Sequence, residues 1–299
     1  MKKPVKKVEL FLDSGAYSAW SQGKKISIDE YITFIKKHED VIDVYANLDV
    51  IGDPKASWMN QMKMEKAGSN PLPVFHYGED VKWLKRILNR GYDYIGLGGM
   101  VHITTDKLFQ WLNYLFSSWL TDKEGMPIVK VHGFGMTSVS LMIEFPFYSV
   151  DSTSWILNSR LGYIFVPRYR QGKWIYYEPA HKIAVSNRNP KLKERGKHFN
   201  NLNPIEQKTV LNYIHEQGYK IGRSEFKMVD QNHKLARNER WVGKNPKNKN
   251  DLRMLEIIIE SGISNTNELR DEMNIVYFVD LEKNLPEWPW AFKPRRASI

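Results

Sequence analysis

One pattern repeats six times within the first 155 residues of this 299-residue chain. A short apolar run ends in a polar residue or a glycine, and a segment with apolar residues at helical spacing follows. The residues at the six ends are Asp13, Asp49, His76, Gly98-Gly99, His132-Gly133 and Asp151. Strands that alternate with amphipathic helices are typical of a parallel α/β barrel. We therefore predict an α/β fold, a (β/α)8 TIM-type barrel with a β-hairpin insertion and a basic C-terminal appendage.

The regular pattern stops after residue 155, and a hairpin is predicted there. Two apolar runs, Tyr163–Pro167 and Lys173–Tyr177, flank the sequence Arg170-Gln171-Gly172. Gly next to a polar residue between two such runs favours a tight turn. The hairpin would carry Arg168 and Arg170 near its tip.

The remaining elements are predicted less regularly along the chain. Ile183-Ala184-Val185 could supply a seventh strand, and Asn203-Pro204 is typical of a helix start. Residues 220–249 show little periodicity, and a helix is predicted at 251–261. The predicted domains are 1–187 for the main part of the barrel, 188–250 for a basic nucleic-acid-binding insertion, and 251–299 for C-terminal helices that close the barrel.

Positive charge is concentrated in one part of the chain. The formal net charge is +10, and residues 160–249 contain 20 Lys and Arg against 7 Asp and Glu, a net charge of +13. Such a segment favours a polyanionic partner, most simply nucleic acid. A solvated surface that only keeps the protein soluble is the alternative interpretation.

The composition also bounds the setting. The chain has no Cys, which excludes disulfides and thiolate metal sites and fits a reducing compartment. The first apolar run is far too short for a signal sequence or a membrane span. We expect a cytoplasmic protein with no membrane partner.

Two of the strand ends carry aspartates that suit catalysis. Asp13 and Asp151 follow strands far apart in the sequence, and the carboxyl ends of barrel strands converge on one pocket. Paired carboxylates can divide nucleophilic and acid/base work between them. Alternatively, each aspartate only opens a turn or caps the next helix. Asp49 needs a donor for its oxygens, and a planar heterocycle with an amidine-like edge would satisfy both.

Other residues could shape a site for a flat ring. Gly98-Gly99 would let a ring approach the backbone, and Tyr17 could stack on it. His76 and His132 could be metal ligands, but they lack HxxxH or HxH spacing, and we predict no metal. No G-x-S-x-G elbow surrounds the hydroxyl residues at 152–154.

As an ordered set, these motifs resemble the tRNA-guanine transglycosylase superfamily, above all the 7-deazaguanine DNA transglycosylases of phages and bacteria. The matching motifs are Asp13-Ser14-Gly15-Ala16-Tyr17, Asn47-Leu48-Asp49, His76-Tyr77-Gly78, Gly98-Gly99, His132-Gly133-Phe134-Gly135 and Ser149-Val150-Asp151. The resemblance covers the barrel, the hairpin and, loosely, the Asn274-Ile275-Val276-Tyr277-Phe278 region, which it implies to be helical.

The resemblance implies a role for each motif residue. Asp151 would be the nucleophile, Asp13 the general acid/base, and Asp49 the group that reads the guanine edge. The residues that would line the pocket are His76, Gly98, Gly99, His132 and Gly133, with Tyr17 stacking on the base. The residues expected to contact nucleic acid are Arg168, Arg170, Lys191, Lys193 and Arg195.

The resemblance also implies the reaction and the partners. Guanine in DNA would be exchanged for a 7-deazaguanine base such as preQ0, without a cofactor. The tRNA enzymes carry a zinc site of three Cys and one His, which this Cys-free chain cannot form. DNA is therefore the expected substrate and tRNA the alternative, while a barrel glycoside hydrolase and a non-catalytic nucleic-acid-binding protein stay open. A homodimer is possible.

Overall fold

The computed structural model describes residues 9–189, 198–248 and 251–294. The chain divides into two compact units. The first consists of Met1–Ser152 with Pro286–Ile299, and the second of Thr153–Leu285. The predicted domain boundaries at 187/188 and 250/251 stay predictions.

The first unit contains six parallel strands that are neighbours in chain order. β1 pairs with β2, a bridge between Ala46 and Leu72 continues the series, and β3 to β6 form one sheet. The strands are β1 Phe11–Leu12, β2 Val44–Tyr45, β3 Val74–His76, β4 Tyr94–Gly98, β5 Lys130–Gly133 and β6 Ser149–Val150. The fold is mixed α/β, as predicted. The described strands form no closed sheet, so the (β/α)8 barrel stays a prediction.

Helices separate these strands, and side-chain caps begin two of them. The helices are α1 Ala16–Ser21, α2 Ile28–Lys37, α3 Pro54–Lys66, α4 Lys82–Asn89, α5 Thr105–Leu115 and α6 Val139–Glu144. The Ser27 hydroxyl accepts a hydrogen bond from the Glu30 amide at the start of α2. Asp53 accepts one from the Ala56 amide at the start of α3. Side-chain acceptors at these positions satisfy amides that the first helical turn leaves unpaired.

Helix α5 turns an apolar face to the core of the first unit. Leu108, Leu112 and Leu115 on α5 are buried, and a π-helical turn at Phe116–Leu120 continues the helix. Phe116 packs against Phe145, Phe147 and Phe292. These aromatic rings bring the chain after Pro286 back onto the first unit, which explains why that segment belongs to it.

The predicted hairpin is present in the second unit. Its strands are β7 Tyr163–Val166, β8 Arg168–Arg170, β9 Lys173–Ile175 and β10 His181–Ala184. β8 pairs with β9, and both turn residues, Gln171 and Gly172, have positive φ, 49° and 80°. β10 pairs antiparallel with β7. Ile183 and Ala184 therefore extend the hairpin, whereas the sequence suggested a seventh barrel strand.

The prediction of a helix at 251–261 is wrong, because these residues form β13 Arg253–Glu260. β13 is the central strand between β11 Arg223–Val229 and β12 Glu239–Trp241, all antiparallel. The β-branched run Ile257-Ile258-Ile259 favours a strand, and pairing on both sides fixes it. Residues 220–249, which lacked periodicity, thus contain two strands.

The other helices of this unit are α7 Ser154–Arg160, α8 Pro204–Glu216 and α9 Asn267–Asn284. Asn203 forms the predicted cap of α8, in a capping box with Glu206. The helical assignment around Asn274 is confirmed. Its buried side chain accepts from the Phe165 amide and donates to the Tyr163 and Trp155 carbonyls, so one amide joins α9 to β7 and α7. In the described part of the chain, no helix is both long and apolar enough to cross a membrane.

Candidate active site

Asp13 and Asp151 follow the first and last strands of the parallel series. Their side chains are close enough for the charge of Asp151 to act on Asp13. Burial raises the pKa of Asp13 above its ordinary value, and the negative charges of Asp151 and Asp49 raise it further. Hydrogen bonds from the Gly15 and Ser14 amides oppose this rise only in part. Asp13 therefore holds a proton more tightly than an isolated aspartate does.

Asp151 has the opposite bias. Burial by itself would raise its pKa, but His132 and the amide of Gly135 lower it to below its ordinary value. The Gly135 amide donates to Oδ1 over 2.6 Å, and His132 Nε2 lies 3.7 Å from the same oxygen. Asp151 is consequently kept ionised, and its side chain is 46% exposed, so an incoming group can reach it.

Asp49 belongs to a second cluster, built around His76. Asp49 Oδ2 is 3.4 Å from His76 Nε2, and Glu79 Oε1 is 3.2 Å from His76 Nδ1. Burial alone would lower the pKa of His76, but these two carboxylates raise it to about 10. Asn47 Nδ2 donates to Asp49 Oδ1 over 2.8 Å. Both oxygens of Asp49 thus have partners in the protein, and His76 is a buried imidazolium ion.

Glycines are needed where these side chains approach the backbone. Gly98 lies opposite His76 in the β3–β4 pair, and a Cβ at Gly98 would lie 2.7 Å from His76 Cδ2. Gly99 has φ +69°, a conformation that L side chains rarely adopt. A Cβ at Gly133 would lie 3.1 Å from the Phe147 ring. The role of Gly98-Gly99 in ring binding stays a prediction. In the structure, the missing side chains of these glycines leave the space that His76 occupies.

His132 lies in an aromatic environment next to Asp151. The Phe11 ring stacks on His132 with centroids 4.3 Å apart, and the Phe134 ring meets its edge at 4.4 Å. His132 Nδ1 is 2.6 Å from Ser149 Oγ, which is 2.5 Å from the hydroxyl of Tyr94. His132 is therefore fixed in position on all sides except that of Asp151.

Three further groups of this site were not found from the sequence. Glu79 contacts His76 from across a turn, and a His-x-x-Glu spacing at a strand end was the available signal. Tyr31 on α2 donates to the Ala46 carbonyl, and burial followed by the charges of Asp13 and Asp49 raises its pKa. Trp20 is 57% exposed on α1, with its ring 5.9 Å from that of Tyr17, which is itself exposed.

The predicted nucleic-acid contacts lie in the second unit or outside the described residues. Arg168 Nε donates to the Pro179 carbonyl, and Arg170 pairs with Glu178 at 2.9 Å. Three of the predicted contacts are outside the described residues: Lys191, Lys193 and Arg195. Within residues 9–189, 198–248 and 251–294, no three His, Asp or Glu side chains are grouped so that they could hold a metal ion.

No protein-family model, curated protein or solved structure matches this chain.

Proposed function

We propose that this protein is a base-exchanging transglycosylase that replaces guanine in DNA by a 7-deazaguanine through a covalent aspartyl-glycosyl intermediate. The observation that carries the proposal is the opposite bias of two carboxylates in one field. The pKa of Asp151 is lowered and that of Asp13 is raised. Two carboxylates whose environments separate their pKa values are suited to the roles of nucleophile and acid.

The chemical steps use these opposite shifts, with Asp13 as the proton donor and Asp151 as the nucleophile. Asp151 attacks C1′ of the target nucleotide, and the bond from C1′ to the guanine nitrogen breaks with its electron pair moving to the base. Asp13 gives its proton to the leaving guanine, which departs as a neutral molecule. A 7-deazaguanine then enters, gives its N9 proton to Asp13 and attacks C1′, which releases Asp151. Two displacements on one carbon retain its configuration.

The second cluster suits the recognition of the base. A carboxylate has about four lone-pair sites, so Asp49 can accept from a guanine edge while it keeps Asn47 and His76 as partners. Gly98, Gly99, His132 and Gly133 belong to the adjacent strand ends, and we propose that they line the base pocket, with Tyr17 stacking on the base.

The antiparallel sheet of the second unit offers an exposed apolar face to the nucleic acid. On one face of the β11–β13–β12 sheet, Phe226, Met228 and Met254 are exposed, and Met228 lies opposite Met254. Phe226 lies opposite Glu256, whose buried carboxylate pairs with Arg240 over 2.8 Å. An exposed aromatic residue such as Phe226 can stack on unpaired bases, and it belongs to the segment 160–249 with a net charge of +13. A base inside a DNA duplex cannot reach such a pocket, so the target nucleotide must be flipped out of the duplex or lie in single-stranded DNA.

The test is the incorporation of radiolabelled guanine into duplex DNA, single-stranded DNA and bulk tRNA. We expect label in DNA with the unchanged protein and none with Asp151→Asn. Asp106→Asn is the matched control, because Asp106 is an exposed carboxylate on α5, and this variant should keep full activity. Prelabelled DNA should lose its label when 7-cyano-7-deazaguanine is added.

Each other result has a definite meaning. Label confined to tRNA would replace DNA by tRNA as the substrate. Label that persists with Asp151→Asn would remove Asp151 as the nucleophile. No incorporation into any polymer, together with no loss of label on adding the deazapurine, would refute base exchange.

A further inference from the structure

We infer that Tyr94 and Ser149 are positioning residues that hold His132 with its Nε2 hydrogen directed at Asp151 Oδ1, so that Oδ2 is the atom that attacks C1′. This inference rests on the proposed function and identifies the reacting oxygen. It concerns three side chains on three successive strands, and the sequence had suggested a role only for His132.

The three side chains form a continuous hydrogen-bonded row. The Tyr94 hydroxyl lies 2.5 Å from Ser149 Oγ, and Ser149 Oγ lies 2.6 Å from His132 Nδ1. Strand register creates the row, because His132 on β5 lies directly opposite Ser149 on β6. His132 is 3% exposed, and the Phe11 ring covers one face of the imidazole. Rotation of the imidazole would break the bond to Ser149 and the stacking together.

The surroundings of His132 decide which ring nitrogen carries hydrogen. Nε2 has no hydrogen-bond partner within the described residues and lies 3.7 Å from Asp151 Oδ1. If only Nδ1 carried hydrogen, the Nε2 lone pair would face a carboxylate in a buried site, which is electrostatically unfavourable. If Ser149 donates to Nδ1, Nε2 carries the hydrogen and faces Oδ1 favourably. A phenol is a good donor, so Tyr94 can in turn donate to Ser149.

The same arrangement distinguishes the two oxygens of Asp151. The Gly135 amide donates to Oδ1, and His132 Nε2 approaches Oδ1 as well. A carboxylate oxygen held by donors is the poorer nucleophile, so Oδ2 forms the bond to C1′. In the glycosyl-aspartate, Oδ1 is the ester carbonyl oxygen. When the second base attacks C1′, the C1′–Oδ2 bond breaks, and the charge that returns to the carboxylate is stabilised by the donors at Oδ1.

The kinetic test removes one hydroxyl at a time. We expect Ser149→Ala to lower kcat for guanine exchange by roughly 100-fold, the low end of what a positioned acid/base group contributes, with little change in KM for the base. Tyr94→Phe should have a smaller effect in the same direction, and Ser149→Thr, which restores a hydroxyl, should recover most of the loss. Tyr148→Phe is the matched control, because its ring packs on that of Tyr94 5.3 Å away and its hydroxyl is outside the row.

A spectroscopic test separates this inference from the proposed function. Nitrogen-15 NMR of the histidine rings reports which nitrogen carries hydrogen, and His132→Asn identifies the His132 signals. We expect Nε2 of His132 to be protonated in the unchanged protein. In Ser149→Ala we expect an additional population in which Nδ1 carries hydrogen and Nε2 does not. An unprotonated Nε2 in the unchanged protein, or Ser149→Ala with the kcat of Tyr148→Phe, would overturn the inference. Absence of base exchange in the unchanged protein would refute the proposed function and leave the NMR result to decide the orientation of His132.

Discussion

Replacing His76 with Gln should destabilise the protein by an amount that depends on pH. The pKa of His76 rises from 6.5 to about 10, because the carboxylates of Asp49 and Glu79 outweigh the effect of burial. Each pKa unit corresponds to about 1.4 kcal/mol, so the proton on His76 contributes at most about 5 kcal/mol to folding below pH 6.5 and about 4 kcal/mol at pH 7. Gln has a similar length but no charge, and it leaves two carboxylates facing each other.

The sign of the pH dependence follows from the direction of the shift. A folded-state pKa above the unfolded value means that the stabilisation is complete below pH 6.5 and is lost as pH rises towards about 10. The difference in unfolding free energy between the unchanged protein and His76→Gln should therefore shrink by about 1.4 kcal/mol per pH unit over this window. Titrating groups that do not interact with His76 are common to both proteins and cancel in the difference.

Urea unfolding at several pH values between about 6 and 9 measures this difference. His102→Asn is a suitable control, since His102 is exposed with φ 67° and Asn tolerates that conformation. The control should give no such slope. A difference below about 1 kcal/mol at pH 7, or one that stays constant across the pH range, would show that His76 is not held as a cation between the two carboxylates.

Three further outcomes are expected. The single-turnover release of labelled guanine should fall as pH rises through the raised pKa of Asp13, because the acid is then lost; a rate that climbs throughout that range would contradict this role. Gly98→Ala should cost about 1–3 kcal/mol in a thermal unfolding measurement, since the new methyl group would lie 2.7 Å from His76, and an unchanged midpoint would refute the packing argument. Phe226→Ala should weaken binding to single-stranded DNA about tenfold by fluorescence anisotropy, as expected for the loss of one stacked base, whereas the exposed Met59→Ala in the first unit should not, and equal affinities would exclude the sheet face as a stacking surface.

The features that local sequence patterns could predict are those that local interactions determine. Ser27, Asp53 and Asn203 begin helices through bonds to amides three residues away, and the start at Asn203 was predicted from its Asn-Pro sequence. The turn at Gln171-Gly172 was predicted for the same reason, because glycine next to a polar residue favours a tight turn. In the structure both residues have the positive φ that such a turn requires. The parallel strand series was predicted from a repeated pattern of strand and helix. Each repeat makes the assignment of the others more certain than it would be for a single strand-helix pair.

What could not be predicted depends on pairing across the chain. The apolar run of β13 is too short for its periodicity to distinguish a strand from a helix, and the pairing with β11 and β12 on both sides is what fixes the strand. Asp49 looked like a carboxylate in need of a ligand, but its partner His76 lies on the next strand. The row from Tyr94 to His132 also requires strand register, since a hydroxyl side chain on a strand carries no signal of its own.

The position of β13 has a consequence for the order in which this chain can fold as it is synthesised. β2, β4, β5 and β6 each pair with the strand before them, and the Ala46–Leu72 bridge joins the segment before β3 to that after β2. The first unit can therefore add strands as they emerge. Among the strands that the structure describes, β11 and β12 pair only with β13, which is the last of the three to be translated. A nascent chain that has reached residue 250 therefore exposes two unpaired strands, Phe226 and Met228 included. This interval, not the assembly of the first unit, is where the protein is most exposed to aggregation or chaperone binding.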